Sequence, residues 1–363
     1  MPPLLAASSN LTRTAPGGWY RWLWQKPVNV GGLMRYDRRV DPRLLKALGK
    51  AGFAHSLVEY ARKGGRWALD LQFRADLNSS NHKATLYSGL TIALDLQYSA
   101  TKDMFKLAAP KTWRTETDVF EAVWSTWQPC AALEAAWPQV EAYLEAALPI
   151  IDESGRYTRR EGAVQAALSS FDRPDFHVID RESVIGFPDT PTQQNVFRAM
   201  EKPVLKALEL TNGKPWWKPP TSLGDECDAL AVTPDGKLLV IEIKPGDAMK
   251  GITWAPAQVQ HYANLFRAWI DSPEPGSPAP RDILTGMVEQ RVRLGLLPTS
   301  SRVSFPDAIE VIPVVAVGPG AKQIAWDRLH EVAQRIDGMR AGGPAVRLWD
   351  VNTIGKVQVR SRD

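Results

Sequence analysis

Three charged residues stand where an apolar β-hairpin is expected. The segment GDECDALAVTPDGKLLVIEIK, residues 224–244, reads as two apolar strands around Pro234-Asp235-Gly236. Pro suits the first central position of a type I turn, Asp the second, and Gly the left-handed position that follows. Such a three-residue loop pairs Thr233 with Lys237 and, stepping outwards, Leu230 with Val240 and Asp228 with Glu242. Directly opposed residues share a face, with Cβ atoms about 5 Å apart. Lys244 lies two residues beyond Glu242 and shares that face, as does Glu226 opposite it. Two carboxylates so close repel, and each is costly to desolvate unless something compensates. A hard divalent cation does so, and Mg²⁺ takes carboxylate oxygens while keeping several waters. A lysine beside it can hold a water and a phosphate oxygen. Metal plus lysine is the apparatus for attack on a phosphodiester.

The elements around the hairpin follow from periodicity. Its other face carries Cys227, Ala229, Ala231, Leu239, Ile241 and Ile243, so both faces are apolar near the turn and the strands are expected to be central. Helical spacing covers about 193–211, 255–270, 281–296 and 321–340, with strands at 309–318 and 345–351. Asp189 or Thr192 can cap the first of these helices. Lys250, after the hairpin, reads as a surface lysine, and His261 as a packed or solvated histidine. No GxxxxGK occurs, so no phosphate-binding loop is expected.

The first half differs. Residues 42–64 show helical spacing broken around Gly49 and Gly52. ALDLQF (68–73) is echoed by ALDLQY (93–98), and both alternate with a period of two, which predicts half-buried antiparallel strands. Asp70 and Asp95 are then expected on a solvated face. Residues 116–148 look helical with breaks at Pro129 and Pro138, with Trp124, Trp127 and Trp137 in a core. Trp22 and Trp24 read as a packed arm. A polar stretch at 152–162 precedes one short helix at 162–171. These features divide the chain into an α+β unit (1–150), a linker with a helix (151–190) and an α/β unit (191–363).

Two cysteines in 363 residues make neither a disulfide framework nor a thiolate metal cage, and they fit a reducing cytoplasm. No apolar run approaches the roughly 18 residues of a membrane span, and the first residues predict no signal peptide. Residues 1–150 carry 18 Lys+Arg against 13 Asp+Glu, the remainder 26 against 27. A mildly basic first half is compatible with nucleic-acid contact but ordinary for a solvated surface.

The hairpin resembles that of the PD-(D/E)XK nuclease superfamily over roughly residues 190–320. The core of that family runs helix, three strands, helix, strand, with an aspartate at the start of the second strand and (D/E)XK at the end of the third. The resemblance makes Asp228 the motif aspartate and Glu242 and Lys244 the (D/E) and K. It implies a restriction-endonuclease-like mixed sheet flanked by helices, preceded by an uncovered α+β domain. It implies metal held by Asp228, Glu242 and the Ile243 carbonyl, with Lys244 positioning or activating water. A family glutamate on a preceding helix falls on Glu201, with Glu209 and Glu161 as rivals. Gln258 and Tyr262 match the Gln-xxx-Tyr motif of RecB-type members and share a helix face. The implied activity is Mg²⁺-dependent DNA cleavage, with Mn²⁺ as a substitute, in restriction, phage defence or repair. A homodimer or an activating partner protein is compatible with it, and no membrane is implied. The alternative is a catalytically silent or effector-activated nucleic-acid-binding protein on the same fold.

Overall fold

The computed structural model describes residues 33–62, 69–76, 79–113, 125–154, 161–170, 173–209, 213–338 and 343–360. Trp22, Trp24 and Trp124 lie outside them. The first sheet is antiparallel, with β1 (Leu69–Ala75), β2 (Asn81–Ser88), β3 (Thr91–Ser99) and β4 (Met104–Ala108) in sequence order. The two like segments fall in β1 and β3, with β2 between them. Helices α1 (Pro42–Leu48), α2 (His55–Arg62) and α3 (Cys130–Ser154) share its core with Leu71, Phe73 and Leu96. Asp41 caps α1 by accepting from the Arg43 N–H. The break after α1 is steric, because a Cβ on Gly52 would lie 2.1 Å from the Ala47 carbonyl oxygen.

α3 begins after Pro129, where a break was expected, but it runs on through Pro138, the other expected break, and through Pro149. Its buried face, from Leu133 through Tyr143 to Ile151, outweighs the local cost of two prolines. Trp137 is buried as expected, but Trp127 is only half-buried. The ammonium groups of Lys102 and Lys106 sit 5.1 and 5.0 Å from its ring centroid.

The second sheet has the order β10-β9-β8-β7-β6-β5. Its strands are β5 (His177–Ser183), β6 (Cys227–Val232), β7 (Leu238–Lys244), β8 (Val311–Val317), β9 (Arg347–Val351) and β10 (Val357–Val359). β5, β6 and β7 form an antiparallel meander, β7, β8 and β9 run parallel, and β10 returns antiparallel. One face carries α5 (Thr190–Glu209), α6 (Met249–Asp271), α7 (Pro280–Leu294) and α8 (Gln323–Asp337), packed around Leu230, Val240 and Val315. The other face carries α4 (Glu161–Ser170) against Ala229, Ile241 and Ile243. Burial on both faces explains the unbroken apolar run of β8. α6 starts six residues before its expected first residue, 255, and includes Pro256, because the helix is buried nearly all round.

The expected boundaries at 150 and 190 do not match the packing. The stretch expected as a linker supplies α4 and the edge strand β5 of the second sheet. Tyr36, from the first half, packs edge-on against Phe266 and Trp269 of α6 at 5.2 and 5.3 Å.

A buried polar seam joins the two sheets. Asp180 of β5 is wholly buried and accepts from Tyr36 (2.6 Å), Ser183 (2.7 Å), Arg38 (3.1 Å) and Arg74 of β1 (2.5 Å). Burial would raise its pKa, but Arg74 and Arg38 outweigh it and hold the carboxyl below its ordinary value. Arg181 bonds Gln165 of α4 at 2.5 Å, the Gly89 carbonyl at 2.8 Å and Asp70 at 3.4 Å. Arg291 of α7 donates to Gln72 (2.5 Å) and to the carbonyls of Ile179 (2.9 Å) and Leu71 (3.3 Å). Asp70 and Gln72 are therefore buried, not solvated as expected, and so is Asp95, which pairs with Thr85 and Lys83. The arginines that satisfy the polar face of β1 come from sequence-distant elements.

Breaking a buried ion pair from one side costs about 3–5 kcal/mol, because the partner charge stays buried. Asp180→Asn is expected to destabilise the fold by that amount, read as a lower denaturant midpoint. An unchanged midpoint would show that the seam is dispensable.

Candidate active site

The hairpin closes in the expected register. Ala229 faces Ile241, Leu230 faces Val240, and Val232 faces Leu238. The Thr233 N–H donates to the Lys237 carbonyl at 3.0 Å, and the turn places Gly236 at φ 78°. Strand pairing ends at Ala229–Ile241, and beyond it the Ile243 N–H donates to the Asp228 carboxylate at 2.6 Å. A side chain here takes a backbone donor at the point where the strands part, and this aims Asp228 at the carboxyl-terminal end of β7. Such strand ends are where open α/β sheets bind ligands.

Glu242 and Lys244 complete the group. Glu242 is 2% exposed, and the Lys244 ammonium lies 2.5 Å from its Oε1. Glu242 Oε2 is buried with no hydrogen-bond partner. Burial, and then the charge of Asp228, pushes the Glu242 carboxyl well above its ordinary value. Burial also raises Asp228, opposed by Lys244 and the Ile243 N–H. Burial alone would lower Lys244, but Glu242 and Asp228 hold it above its ordinary value. The lysine is a stable cation between strained carboxylates. Its stem passes Gly251 of α6, where an added Cβ would lie 3.1 Å from Lys244 Cδ.

The third carboxylate is Glu161, at the first residue of α4. Burial, then the charge of Asp228, pushes it up to about 7, with Lys244 opposing. Its expected rival, Glu201, is engaged elsewhere. It sits on α5, on the opposite face of the sheet, and its carboxylate accepts from the Leu223 N–H. Gln258 and Tyr262 share a face of α6 as expected, yet both donate to the Leu223 carbonyl, at 3.4 and 2.8 Å. Glu201, Gln258 and Tyr262 thus clamp the backbone on both sides of Leu223, five residues before Asp228. Gly224, at φ 86°, has its missing Cβ position 2.9 Å from the Tyr262 hydroxyl. The three are positioning residues for the approach to β6.

The remaining candidates take ordinary places. Ile243 is wholly buried among the residues facing α4. His261 is wholly buried beside Phe197, and burial lowers its pKa to about 4, so it is neutral. Lys250 is exposed on the first turn of α6, and Glu226 and Glu209 are exposed too. A cleft of about 270 Å³ adjoins the site, between Val164 of α4, the turn at Gly246 and the turn at Gly320.

The donor set suits a hard cation: carboxylate oxygens, one orphaned and buried, with no thiolate or imidazole among them. Among the described residues no group of three His, Cys, Asp or Glu is arranged to hold a metal ion. Mg²⁺ does not require one, since it is held through one or two carboxylates and keeps its waters. Among the described residues, no helix is long and apolar enough to cross a membrane. Comparison with protein-family models, curated proteins and solved structures finds no match.

Glu161 was legible as a rival only, because a carboxylate at the first turn of a helix is common for its own reasons.

An acid whose folded-state pKa is raised contributes stability fully present below its unfolded pKa, lost as pH rises through the folded one. For Glu161 the loss runs from about 4.5 to about 7. In EDTA, raising the pH from about 5 to about 8 is expected to lower the melting temperature of the wild type more than that of Glu161→Gln. Parallel pH profiles would place Glu161 in solvent. Tyr262→Phe removes one buried hydrogen bond and is expected to cost about 1 kcal/mol, measured by chemical denaturation.

Proposed function

We propose that the protein is a metal-dependent nuclease that hydrolyses phosphodiester bonds in DNA. The observation that carries this reading is the Asp228–Glu242–Lys244 group at the parted end of a hairpin, Glu242 buried and the other two half-buried, with Glu161 added from α4. The order α4, β5, β6, β7, α6, β8, with β7 and β8 parallel, supports it. This is the helix, three strands, helix, strand order of the PD-(D/E)XK family, with α5 inserted before the second core strand. The restriction-endonuclease-like fold and the family itself belong to this proposal.

Asp228 and Glu242 would hold Mg²⁺, with Mn²⁺ as substitute. When bound, the metal activates water and stabilises charge on phosphorus. Lys244, held cationic by its carboxylates, donates hydrogen bonds to water or to a non-bridging phosphate oxygen and does not act as a base. Glu161, near neutrality in the metal-free site, is the carboxylate able to exchange a proton there. Glu201, Gln258 and Tyr262 keep the segment before Asp228 in place.

The test uses supercoiled plasmid, linear duplex and single-stranded DNA with Mg²⁺, Mn²⁺ or EDTA. Wild type is expected to cut at least one substrate with metal only. Glu242→Ala and Lys244→Ala are each expected to lose about 100-fold or more, the scale of removing one transition-state stabiliser. Mn²⁺ is also expected to raise the melting temperature of wild type but not of Glu242→Ala. DNA binding without cutting, indifferent to metal and to Lys244→Ala, would favour a silent binding protein.

A further inference from the structure

A second cleft, of about 480 Å³, opens on the α4 side of the second sheet. Its floor holds Leu239 of β7, Phe176 at the start of β5 and Trp349 of β9, the two rings stacked at 4.8 Å. Its rim carries Arg347 and Lys356, both exposed, against a single carboxylate, Asp175. Ile354 and Val359, at 61% and 66% exposure, stand at its edge. Both border this one cavity, where burial would have been expected for residues of their type.

Arg173 decides what the cleft is for. It is 9% exposed, its guanidinium lies 4.9 Å from the Phe176 ring centroid, and it lines the cavity. One N–H donates to the Ala167 carbonyl at 2.9 Å, while Nε is buried without a partner. Among the described residues it makes no ion pair, and burial, opposed by the charge of Asp175, draws its pKa down to about 10. The seam arginines differ. Arg74, Arg38 and Arg181 meet carboxylates, and Arg291 donates to two carbonyls and an amide. A guanidinium taken from water without a carboxylate paired to it is costly unless an anion joins it. Its planar fork matches phosphate.

We propose that this cleft binds a nucleoside monophosphate, with Arg173, Arg347 and Lys356 on the phosphate and the apolar edge at Ile354 and Val359 against the base. The volume lies within the usual range for small-molecule sites, about 300–1,000 Å³. The proposal is independent of the nuclease reading, since none of these residues belongs to that group. The same chemistry is offered by a free nucleotide and by the phosphorylated end of a strand.

Calorimetry on the full chain in EDTA, with AMP, adenosine, inorganic phosphate and a 5′-phosphorylated trinucleotide, tests it. AMP is expected to bind once per chain, at least about tenfold more tightly than adenosine or phosphate. Arg347→Ala and Lys356→Ala, both at exposed positions, are expected to weaken AMP about tenfold each. Arg173→Gln is expected to abolish binding, and Glu242→Ala to leave it unchanged. A trinucleotide that binds more tightly than AMP, with the same variant sensitivity, assigns the site to a strand end. Equal affinity assigns it to the free nucleotide. No saturation by any probe at millimolar concentration, indifference to Arg347→Ala, or loss of binding in Glu242→Ala would each overturn the proposal.

Discussion

The constraint on which the rest depends is the pair of adjacent charges in β5, Asp180 and Arg181, buried between two sheets. A carboxylate in that position is tolerable only with cations on it, and Arg74 and Arg38 come from the first half to supply them. Arg181 in turn needs acceptors, and it finds Asp70 of β1 and Gln165 of α4. The interaction therefore welds the first sheet to the edge of the second and holds α4 where both meet. α4 packs on β1, β5 and β7 together. Since Glu161 opens α4, the position of the third carboxylate is set by a seam formed largely by the half of the chain that carries none of the hairpin.

The carboxylate group has the opposite economy. Asp228, Glu242 and Glu161 are raised by burial, Glu242 and Glu161 also by the charge of Asp228, and Lys244 alone does not neutralise three acids. Where the seam saturates its charges, this group leaves Glu242 Oε2 bare. Strain of this kind persists when the scaffold over-determines it, and it clusters at functional sites. Here the scaffold is the central hairpin, the Gly251 gap for the lysine stem and the three-sided clamp on Leu223. The two charge groups are thus built for different ends, one for cohesion and one for a ligand.

What was legible in the sequence was local. The Pro-Asp-Gly turn fixes register by its own chemistry, so the pairing of Leu230 with Val240 followed, and with it the common face of Asp228, Glu242 and Lys244. Asp189 caps α5 through the Thr192 N–H for the same reason. What was not legible was non-local. HVIDRES reads as polar linker because nothing near it in sequence announces that Asp180 and Arg181 will be paired from residues 38, 74 and 70. Asp70 and Gln72 alternate with leucines as a solvated face would, and only Arg181 and Arg291 reveal it as buried. Glu201 outranked Glu161 on helix position alone. The face of the sheet on which each helix lies was decided by the insertion of α5 between β5 and β6.

That insertion bears on how the two halves relate. A chain cut at residue 150 would strip Asp180 of Arg38 and Arg74, Arg181 of Asp70, and α6 of the Tyr36 ring. Each loss leaves a buried charge or a gap, and such losses in one network do not add independently. The first sheet is therefore a structural part of the second, not a tethered module that merely recruits substrate. Arg181 joins Asp70 of β1 to Gln165 of α4, so the helix that carries Glu161 is tied directly to the first sheet.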